Sequence, residues 1–404
     1  MEKYKYVVLG GGPAGLSFAN MLLQKGEESF VVFEKESEAG GLCRSTEVDE
    51  SPLDLGGGHF LDVRKPDVNR FLFQFMPEYE WNKFNRDSRI EFDGITINHP
   101  FEANIWQMPQ RMQVEYLKSI ANAGCNVNKE KPKMFIDWIR WKLGDLIADK
   151  YMIPYNSKMF GCEINQLGTY WLEKLPNVSF EETVLSCLNR KAYGTQPGHA
   201  QFYYPKKYGY GELWIRMATK IEAHMRYNSF VKGIDFNDRI VYLSDGSYVK
   251  ADYIIFTIPW DSVVDNIGMP DELVNDIKKL KHTSVNITYY SEEMDTEAQW
   301  VYYPEISLPY HRVLIRGNFC TNSKGYWTET NSERYKDEGV WTFKNEYAYP
   351  LNTIDKPLIM RKVLDWGKQH AVIGLGRWGE WEHYNSDVTV GKAIDLANKL
   401  LSSV

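Results

Sequence analysis

Apolar and polar positions in the first forty residues predict a β-α-β unit. Residues 4–9 form a short apolar run that is typical of a buried parallel strand, and residues 29–34 form a second one. Between them, a glycine cluster opens a segment with helical periodicity that extends to about Gln24. Strand, helix and strand in this order predict an α/β fold with a parallel sheet.

Later segments show two other patterns. Residues 111–123 and 134–150 have helical periodicity, which predicts a helical insertion in the middle third of the chain. Residues 228–259 alternate between apolar and polar positions, which predicts short strands over 229–236, 240–244, 248–250 and 253–258, with a turn at Asp245-Gly246 and a stop at Pro259. The remaining predicted elements are strands over 284–290, 300–304, 310–319 and 340–346 and an amphipathic helix over 386–401.

Composition limits the compartment and the partners. The net charge of −7 gives no global field that would attract nucleic acid or an anionic membrane, so we expect neither as a partner. No apolar run approaches the ~18 residues of a membrane span, and no signal peptide precedes the first strand. We therefore expect a cytoplasmic protein. The sequence leaves its oligomeric state open.

The five cysteines are dispersed, with no CxxC pair and no Cys/His cluster. An odd, scattered count argues against a disulfide framework or a zinc site and fits a reducing cytoplasm, so we expect no metal. They are Cys43, Cys125, Cys162, Cys187 and Cys320.

The glycine cluster fits the G-x-G-x-x-G fingerprint of dinucleotide-binding proteins. Gly10 permits the tight turn, Gly12 lets the backbone approach a pyrophosphate, and Gly15 lets helix and strand pack closely. Glu34 ends the next strand, 19 residues after Gly15, where a carboxylate can accept hydrogen bonds from ribose hydroxyls. The alternative, a glycine-rich turn without a ligand, leaves this context unexplained.

Further glycine clusters favour FAD over NAD as the nucleotide. Residues 40–44 and 54–60 would let the backbone pass close to a large extended ligand. The strands ending at Pro259 and the helix after 376–379 resemble, in their order, parts of glutathione-reductase-like FAD domains. The residues predicted to bind FAD are Gly10, Gly12, Pro13, Ala14, Gly15, Glu34, Lys35, Gly41, Leu42, Cys43, Gly57, Gly58, His59, Val231, Gly376, Arg377, Asn385, Asp387 and Val388.

We expect three interleaved lobes. The first is a discontinuous, Rossmann-like FAD-binding domain built from 1–98, 195–280 and 360–404. The second is the helical insertion, 99–194. The third is the antiparallel sheet of a substrate domain, 281–359.

Several strings resemble the UDP-galactopyranose mutase family, part of the larger amine oxidase and protoporphyrinogen oxidase group. They are Gly57-Gly58-His59, His99-Pro100-Phe101-Glu102-Ala103-Asn104, Met152-Ile153-Pro154-Tyr155-Asn156-Ser157-Lys158, Trp300-Val301-Tyr302-Tyr303-Pro304-Glu305 followed by Arg312, Tyr349-Pro350, and Gly376-Arg377-Trp378-Gly379-Glu380-Trp381. That family interconverts the pyranose and furanose forms of a nucleotide sugar, a small-molecule substrate, and serves glycan biosynthesis.

The resemblance implies that N5 of the reduced flavin acts as the nucleophile on the anomeric carbon and expels the nucleoside diphosphate. NAD(P)H would then serve only as an external reductant. Arg312 would neutralise the diphosphate, Tyr302 and Tyr349 would donate hydrogen bonds to it, and His59 and Arg377 would lie beside the flavin. His59 and Arg312 are thus the expected catalytic residues. The expected substrate-binding residues are Arg86, His99, Phe101, Glu102, Asn104, Tyr155, Asn156, Trp300, Tyr302, Arg312, Tyr349 and His383.

Three positions depart from the family pattern. Lys174 stands near the place of a diphosphate-binding Arg, and His383 near that of a phosphate-contacting Tyr. Glu102 replaces a Gln beside the uracil. Because an ionised Glu only accepts hydrogen bonds, we hypothesise a base other than uracil. The stretch 193–211, rich in Gly and Tyr, is a candidate lid.

Two other functions stay open from the sequence. An FAD-dependent oxidoreductase of the amine oxidase or protoporphyrinogen oxidase type shares the same N-terminal strings. A flavin-binding protein without catalysis is the third possibility. The sequence does not identify the sugar, the base or the reductant.

Overall fold

The structure, a computed structural model, describes residues 1–172, 177–194 and 200–402. Its strands are β1 (Glu2–Leu9), β2 (Phe30–Phe33), β3 (Ser45–Val48), β4 (Ser51–Asp54), β5 (Leu61–Asp62), β6 (Trp81–Asn85), β7 (Ser88–Phe92), β8 (Ile95–Asn98), β9 (Gln201–Pro205), β10 (Met225–Arg226), β11 (Val231–Asp235), β12 (Ile240–Leu243), β13 (Tyr248–Phe256), β14 (Asp265–Ile267), β15 (His282–Tyr290), β16 (Trp300–Tyr302), β17 (Arg312–Ile315), β18 (Tyr326–Asn331), β19 (Thr342–Pro350) and β20 (Val372–Gly374). Its α-helices are α1 (Pro13–Gln24), α2 (Pro66–Leu72), α3 (Gln110–Ala121), α4 (Phe135–Ile147), α5 (Ile153–Phe160), α6 (Phe180–Asn189), α7 (Gly211–Lys220), α8 (Asp271–Ile277), α9 (Lys356–Gln369), α10 (Gly376–Gly379) and α11 (Ser386–Ser402).

The predicted β-α-β unit forms the centre of the largest described sheet. The strand order is β10-β2-β1-β13-β12-β11-β14, and β20 also pairs with β13. Side chains of β1 alternate between the two faces: Tyr6 and Val8 join one hydrophobic core, and Val7 and Leu9 join the other. Because β1 pairs in parallel with β2 and β13 under covering helices, the predicted α/β class is confirmed.

One predicted break in this sheet is wrong. The pattern predicted separate strands over 248–250 and 253–258, but β13 is a single strand of nine residues. Strand β1 pairs with it from Val249 to Phe256. The other edge is shared, because β12 pairs with its first half and β20 with its second half. Continuous pairing on one side thus keeps the strand intact across Asp252.

A second sheet has the order β19-β15-β18-β17-β16-β7-β8. Most of it comes from the range predicted for the substrate sheet. However, β7 and β8 come from residues 88–98, within the range assigned to the FAD-binding domain, and β7 pairs in parallel with β16. The division into three lobes stays a prediction. Residues 88–98 were assigned to the first lobe by their place in the chain, but in space they belong to the second sheet.

The helical insertion contains α3 to α6. The predicted helices over 111–123 and 134–150 are confirmed as α3 and α4. A π-helical turn over 148–152 continues α4 into α5. Within the described ranges, no helix is long and apolar enough to cross a membrane.

The lid hypothesis is wrong for β9 and for the buried residues around Tyr210. Strand β9 lies between β5 and β6 in a small sheet, and its side chains Phe202 and Tyr204 are fully buried, as is Tyr210 after it. A central, buried strand is not a segment that opens freely. Residues 195–199 of the hypothesis, like Lys174, lie outside the described residues.

Candidate functional site

The glycine turn after β1 leaves the N-terminus of α1 open to a ligand. A Cβ at Gly15 would lie 2.0 Å from the carbonyl oxygen of Gly10, and one at Gly10 would lie 2.7 Å from Oγ1 of Thr257. Among the described residues, no side chain caps α1 after Gly12. The N–H groups of its first turn therefore point at the space in front of the helix, where an anion is favoured.

Glu34 lies at the end of β2 beside this turn. Its carboxylate accepts hydrogen bonds from N–H of Gly11 at 2.7 Å and of Glu36 at 3.0 Å. Burial raises its pKa, whereas these two backbone bonds lower it. Each carboxylate oxygen can accept a further hydrogen bond, as a ribose would require.

A cleft of about 510 Å³ begins at this turn and passes along the sheet. It has the size of a small-molecule or cofactor site. The predicted FAD-binding residues that line it are Gly10, Gly12, Pro13, Ala14, Glu34, Lys35, Gly41, Leu42, Cys43, His59, Val231 and Arg377.

The remaining predicted FAD residues do not line the cleft. A Cβ at Gly376 would lie 2.7 Å from Cβ of Ala14. Asp387 is buried and pairs with Lys65 at 3.5 Å, so its carboxylate is already compensated. The structure puts Ser386 and Thr389 on the wall at this end of the cleft. The residues not on the wall are Gly15, Gly57, Gly58, Gly376, Asn385, Asp387 and Val388.

The sequence reasoning missed one wall of the cleft. Residues 343–347 of β19 line it, as do Ser229 and Phe230 before β11 and Ser262 after β13. The alternating pattern of β19 was visible in the sequence. Its position over the cleft depends on how the second sheet packs on the first, and no local signal carries that information.

His59 connects the cleft to a second group of predicted residues. Its Nδ1 lies 3.2 Å from the carbonyl oxygen of Gly57. Burial, together with the positive charges of Arg377 and Arg312, lowers its pKa to about 3. The imidazole is therefore neutral at physiological pH. It lies close enough to both guanidinium groups for their charge to affect its pKa.

Arg312 lies on β17 with a buried carboxylate beside it. Its Nη2 lies 2.6 Å from Oε2 of Glu329 and donates to the Tyr349 hydroxyl at 3.2 Å. Tyr302 pairs directly with Arg312 across β16 and β17. Arg86 donates to the hydroxyl of Tyr302 at 2.6 Å. We call Arg86, Tyr302, Arg312 and Tyr349 the arginine–tyrosine cluster.

Aromatic rings surround this cluster. The guanidinium of Arg86 lies 4.7 Å from the centroid of the Trp300 ring. The ring of His99 lies 5.2 Å and that of Tyr155 5.5 Å from the ring of Tyr302. On the other side, the rings of Tyr349 and His383 are 4.9 Å apart. The structure thus brings seven predicted residues together around Arg312: Arg86, His99, Tyr155, Trp300, Tyr302, Tyr349 and His383.

The other predicted substrate residues lie on the helical side, and their side chains contact neighbouring protein groups. Phe101 is fully buried, and its ring stacks on Tyr151 at 5.3 Å. The amide of Asn104 donates to the Pro100 carbonyl and that of Asn156 to the Met152 carbonyl. Burial raises the pKa of Glu102.

Three arginines contribute positive charge to this part of the site. Arg86 donates to Tyr302, Arg312 is paired with the buried carboxylate of Glu329, and the charge of Arg377 acts on His59. Arg377 donates to the backbone carbonyls of Ala348 and Tyr384. An anionic ligand suits this arrangement, because a guanidinium binds phosphate oxygens with several donors at once.

Glu329 is a residue of this site that the sequence reasoning missed. It is fully buried on β18, a strand that was not predicted. Besides Arg312, it accepts a hydrogen bond from the N–H of Gly58 at 3.1 Å. A Cβ at Gly57 would lie 2.6 Å from its Oε1, which is the physical reason for glycine there. A Glu within an otherwise apolar and Thr-rich strand pattern was the available signal.

Comparisons with known proteins agree with this geometry. Residues 13–293 match the family model described as flavin containing amine oxidoreductase. The chain is similar to UDP-galactopyranose mutase of Mycoplasma pneumoniae, with 20% identity over 99% of this chain and 97% of that protein.

Solved structures show the same fold. A reduced UDP-galactopyranose mutase superposes with a TM-score of 0.89 and 22% identity, covering 100% of this chain and 95% of that one. Putrescine oxidase bound to putrescine gives a TM-score of 0.64 and 13% identity, with 99% of both chains covered. A fatty acid isomerase from P. acnes gives 0.67 and 14%, with 98% of both chains covered.

Proposed function

The chain belongs to the flavin containing amine oxidoreductase family, and from this premise we propose that it is an FAD-dependent mutase. It would interconvert the pyranose and furanose forms of a nucleotide-activated sugar. Similarity to UDP-galactopyranose mutase over almost the whole chain supports this proposal. The single observation that carries it is the arginine–tyrosine cluster next to the cleft, which is suited to a diphosphate.

The residues present fit FAD. The glycine turn and the first turn of α1 would hold the pyrophosphate, and Glu34 would accept hydrogen bonds from the ribose. Backbone at Gly41 and Val231 and the side chain of Arg377 line the cleft further along. When bound and reduced, the flavin would supply the nucleophile for covalent catalysis at the anomeric carbon. We propose NAD(P)H as the external reductant.

The protein's own groups would bind and orient the substrate. Arg312 and Arg86 would neutralise the diphosphate as it leaves the sugar and returns. Tyr302 and Tyr349 already hydrogen-bond these guanidinium groups and would donate to phosphate oxygens. His59, neutral because of its low pKa, would orient the loop 57–59 against the cleft without adding charge.

An oxidoreductase acting on an amine is the second candidate, since the family and the structure of putrescine oxidase favour it. The charge of the site argues against it. A protonated amine approaching Arg86, Arg312 and Arg377 would meet like charges, which cost free energy when they are not solvated.

The test is an anaerobic titration of the dithionite-reduced protein with UDP, CDP, GDP and dTDP, followed by their nucleotide sugars. We expect one base to perturb the spectrum of the reduced flavin, and we expect pyranose–furanose conversion only with reduced enzyme. The nucleoside diphosphate with the lowest Kd identifies the base. If UDP binds most tightly, the hypothesis of a base other than uracil is rejected. Reduction of the oxidised flavin by an amine, with no response to nucleotides, would establish the oxidoreductase instead.

A further inference from the structure

The two central residues of the arginine–tyrosine cluster belong to one hairpin. Tyr302 ends β16 and Arg312 begins β17, and the two are paired residues of the ladder. Residues 303–311 connect them. The N–H of Tyr303 donates to the carbonyl of His311 at 2.9 Å, which closes the base of the connection. This connection therefore joins directly to both side chains' backbone positions.

Lys158 of α5 binds this connection from the helical side. Its side chain is fully buried, and its Nζ donates to the carbonyl oxygens of Tyr303 and Glu305, both at 2.7 Å. Nζ also lies 5.8 Å from the centroid of the Tyr310 ring. Burying an amino group is costly unless its donors are satisfied, and here backbone carbonyls of the hairpin satisfy them.

The same helix contacts the hairpin at a second point. Tyr155 lies three residues before Lys158, so both side chains project from one face of α5. The ring of Tyr155 packs edge-on against Tyr302 at 5.5 Å and against His311 at 5.8 Å. One helix face therefore holds both the ring that flanks the cluster and the backbone of the connection.

We propose that Lys158 is a positioning residue for the arginine–tyrosine cluster. It fixes the connection 303–311 by its two hydrogen bonds and so holds Tyr302 and Arg312 at the separation that a diphosphate requires. The hydrogen bonds to the hairpin stand on geometry alone. Their consequence for ligand binding rests on the proposed function.

The charge state of Lys158 does not limit this role. Burial lowers its pKa to about 7, with Arg334 lowering and Glu305 raising it. A neutral amine keeps two N–H donors, enough for both carbonyls, and an ammonium has three. The hydrogen bonds are therefore available on either side of pH 7.

The experiment compares Lys158→Met with the wild-type holoprotein by amide hydrogen exchange and by anaerobic titration with UDP, CDP, GDP and dTDP. We expect exchange in residues 303–311 to become at least tenfold faster and the Kd of the best diphosphate to rise at least tenfold. The FAD spectrum should stay unchanged. Lys150→Met removes an exposed lysine of the same lobe, paired with Asp93 at 3.0 Å, and should change neither quantity.

A combined variant separates positioning from general destabilisation. If Lys158 acts through Tyr302 and Arg312, then adding Lys158→Met to a protein that carries Tyr302→Phe and Arg312→Gln should weaken diphosphate binding by less than twofold more. Full additivity overturns the proposal. If Lys158→Met does not fold, Lys158→Gln replaces it; its side chain is one atom shorter and does not reach both carbonyls that Nζ binds at 2.7 Å, so the same faster exchange is expected.

The two proposals fail separately. Unchanged exchange in 303–311 overturns the role of Lys158, whatever the nucleotide affinities. Faster exchange in a protein whose wild type binds no nucleoside diphosphate supports the hydrogen-bonding role and rejects the nucleotide-sugar function.

Discussion

At the scale of single residues, the site depends on which donors of Arg312 bind protein groups and which are left for a ligand. One nitrogen already faces Glu329 and Tyr349, which fixes the plane of the guanidinium before a ligand arrives. A ligand then binds to donors that are already oriented, and less entropy is lost on binding. Lysine has the same charge but no planar set of donors.

We therefore expect Arg312→Lys to weaken binding of the preferred nucleoside diphosphate about tenfold or more, equal to about 1.4 kcal/mol or more. FAD binding should be retained, because Arg312 does not line the cleft. Anaerobic flavin titration measures the affinity. Arg140→Lys, on the surface of the helical lobe, is the control and should bind like wild type.

The pKa of His59 predicts a pH dependence of stability. The folded protein holds this pKa at about 3, below the unfolded value near 6.5, so the unfolded chain binds the extra proton between these pH values. Stability should fall as pH decreases through this window, by up to about 1.4 kcal/mol per pH unit from this group. Urea unfolding of wild type and His59→Asn should show a shallower acid slope in the variant. Parallel curves below pH 6.5 would contradict the assignment.

At the scale of elements, the local apolar pattern was sufficient to predict those helices and strands whose own sequence has one clear period. The first β-α-β unit, α3, α4 and α11 lie close to their predicted ranges, because their apolar positions have one clear period. Strand β18 was missed because Glu329 and the Thr residues beside it interrupt the apolar run. Their burial is explained by partners on other elements, which a local pattern does not contain.

The glycine turn gives the sharpest prediction at this scale. A methyl group at Gly15 would meet the carbonyl of Gly10 at 2.0 Å, so the turn and α1 cannot both keep their positions. We expect Gly15→Ala to lose FAD during purification and to unfold at lower temperature. Gly391→Ala in α11 has room, with its nearest neighbour at 3.5 Å, and should retain both. Absorbance at the flavin bands and thermal unfolding report the two effects.

At the scale of the whole molecule, Glu329 joins parts of the chain that are distant in sequence. It binds the backbone at Gly58 and the side chain of Arg312, and His311 lies 3.7 Å away. The loop beside the cleft and the second sheet therefore share one buried carboxylate. Which residues form this contact could not be predicted from sequence, because it depends on how the two sheets pack.

Removing that charge should affect the whole protein. Glu329→Gln leaves the guanidinium of Arg312 without its buried counter-charge, which costs about 3–5 kcal/mol in comparable pairs. Chemical denaturation should show a loss of this size, whereas Glu47→Gln, at an exposed position, should leave the unfolding midpoint unchanged. A neutral result for Glu329→Gln would mean that the pair is not charged in the folded state.

The interleaved course of the chain also has a consequence for biosynthesis. One of the two strands beside β1 in the central sheet is β13, about 240 residues later, and the cleft wall is completed only by Arg377 and Thr389. A nascent chain therefore carries its glycine turn for a long time without the later elements that complete the cleft. Cofactor capture must wait until these elements have been synthesised, and until then the edge of β1 that pairs with β13 is open to aggregation.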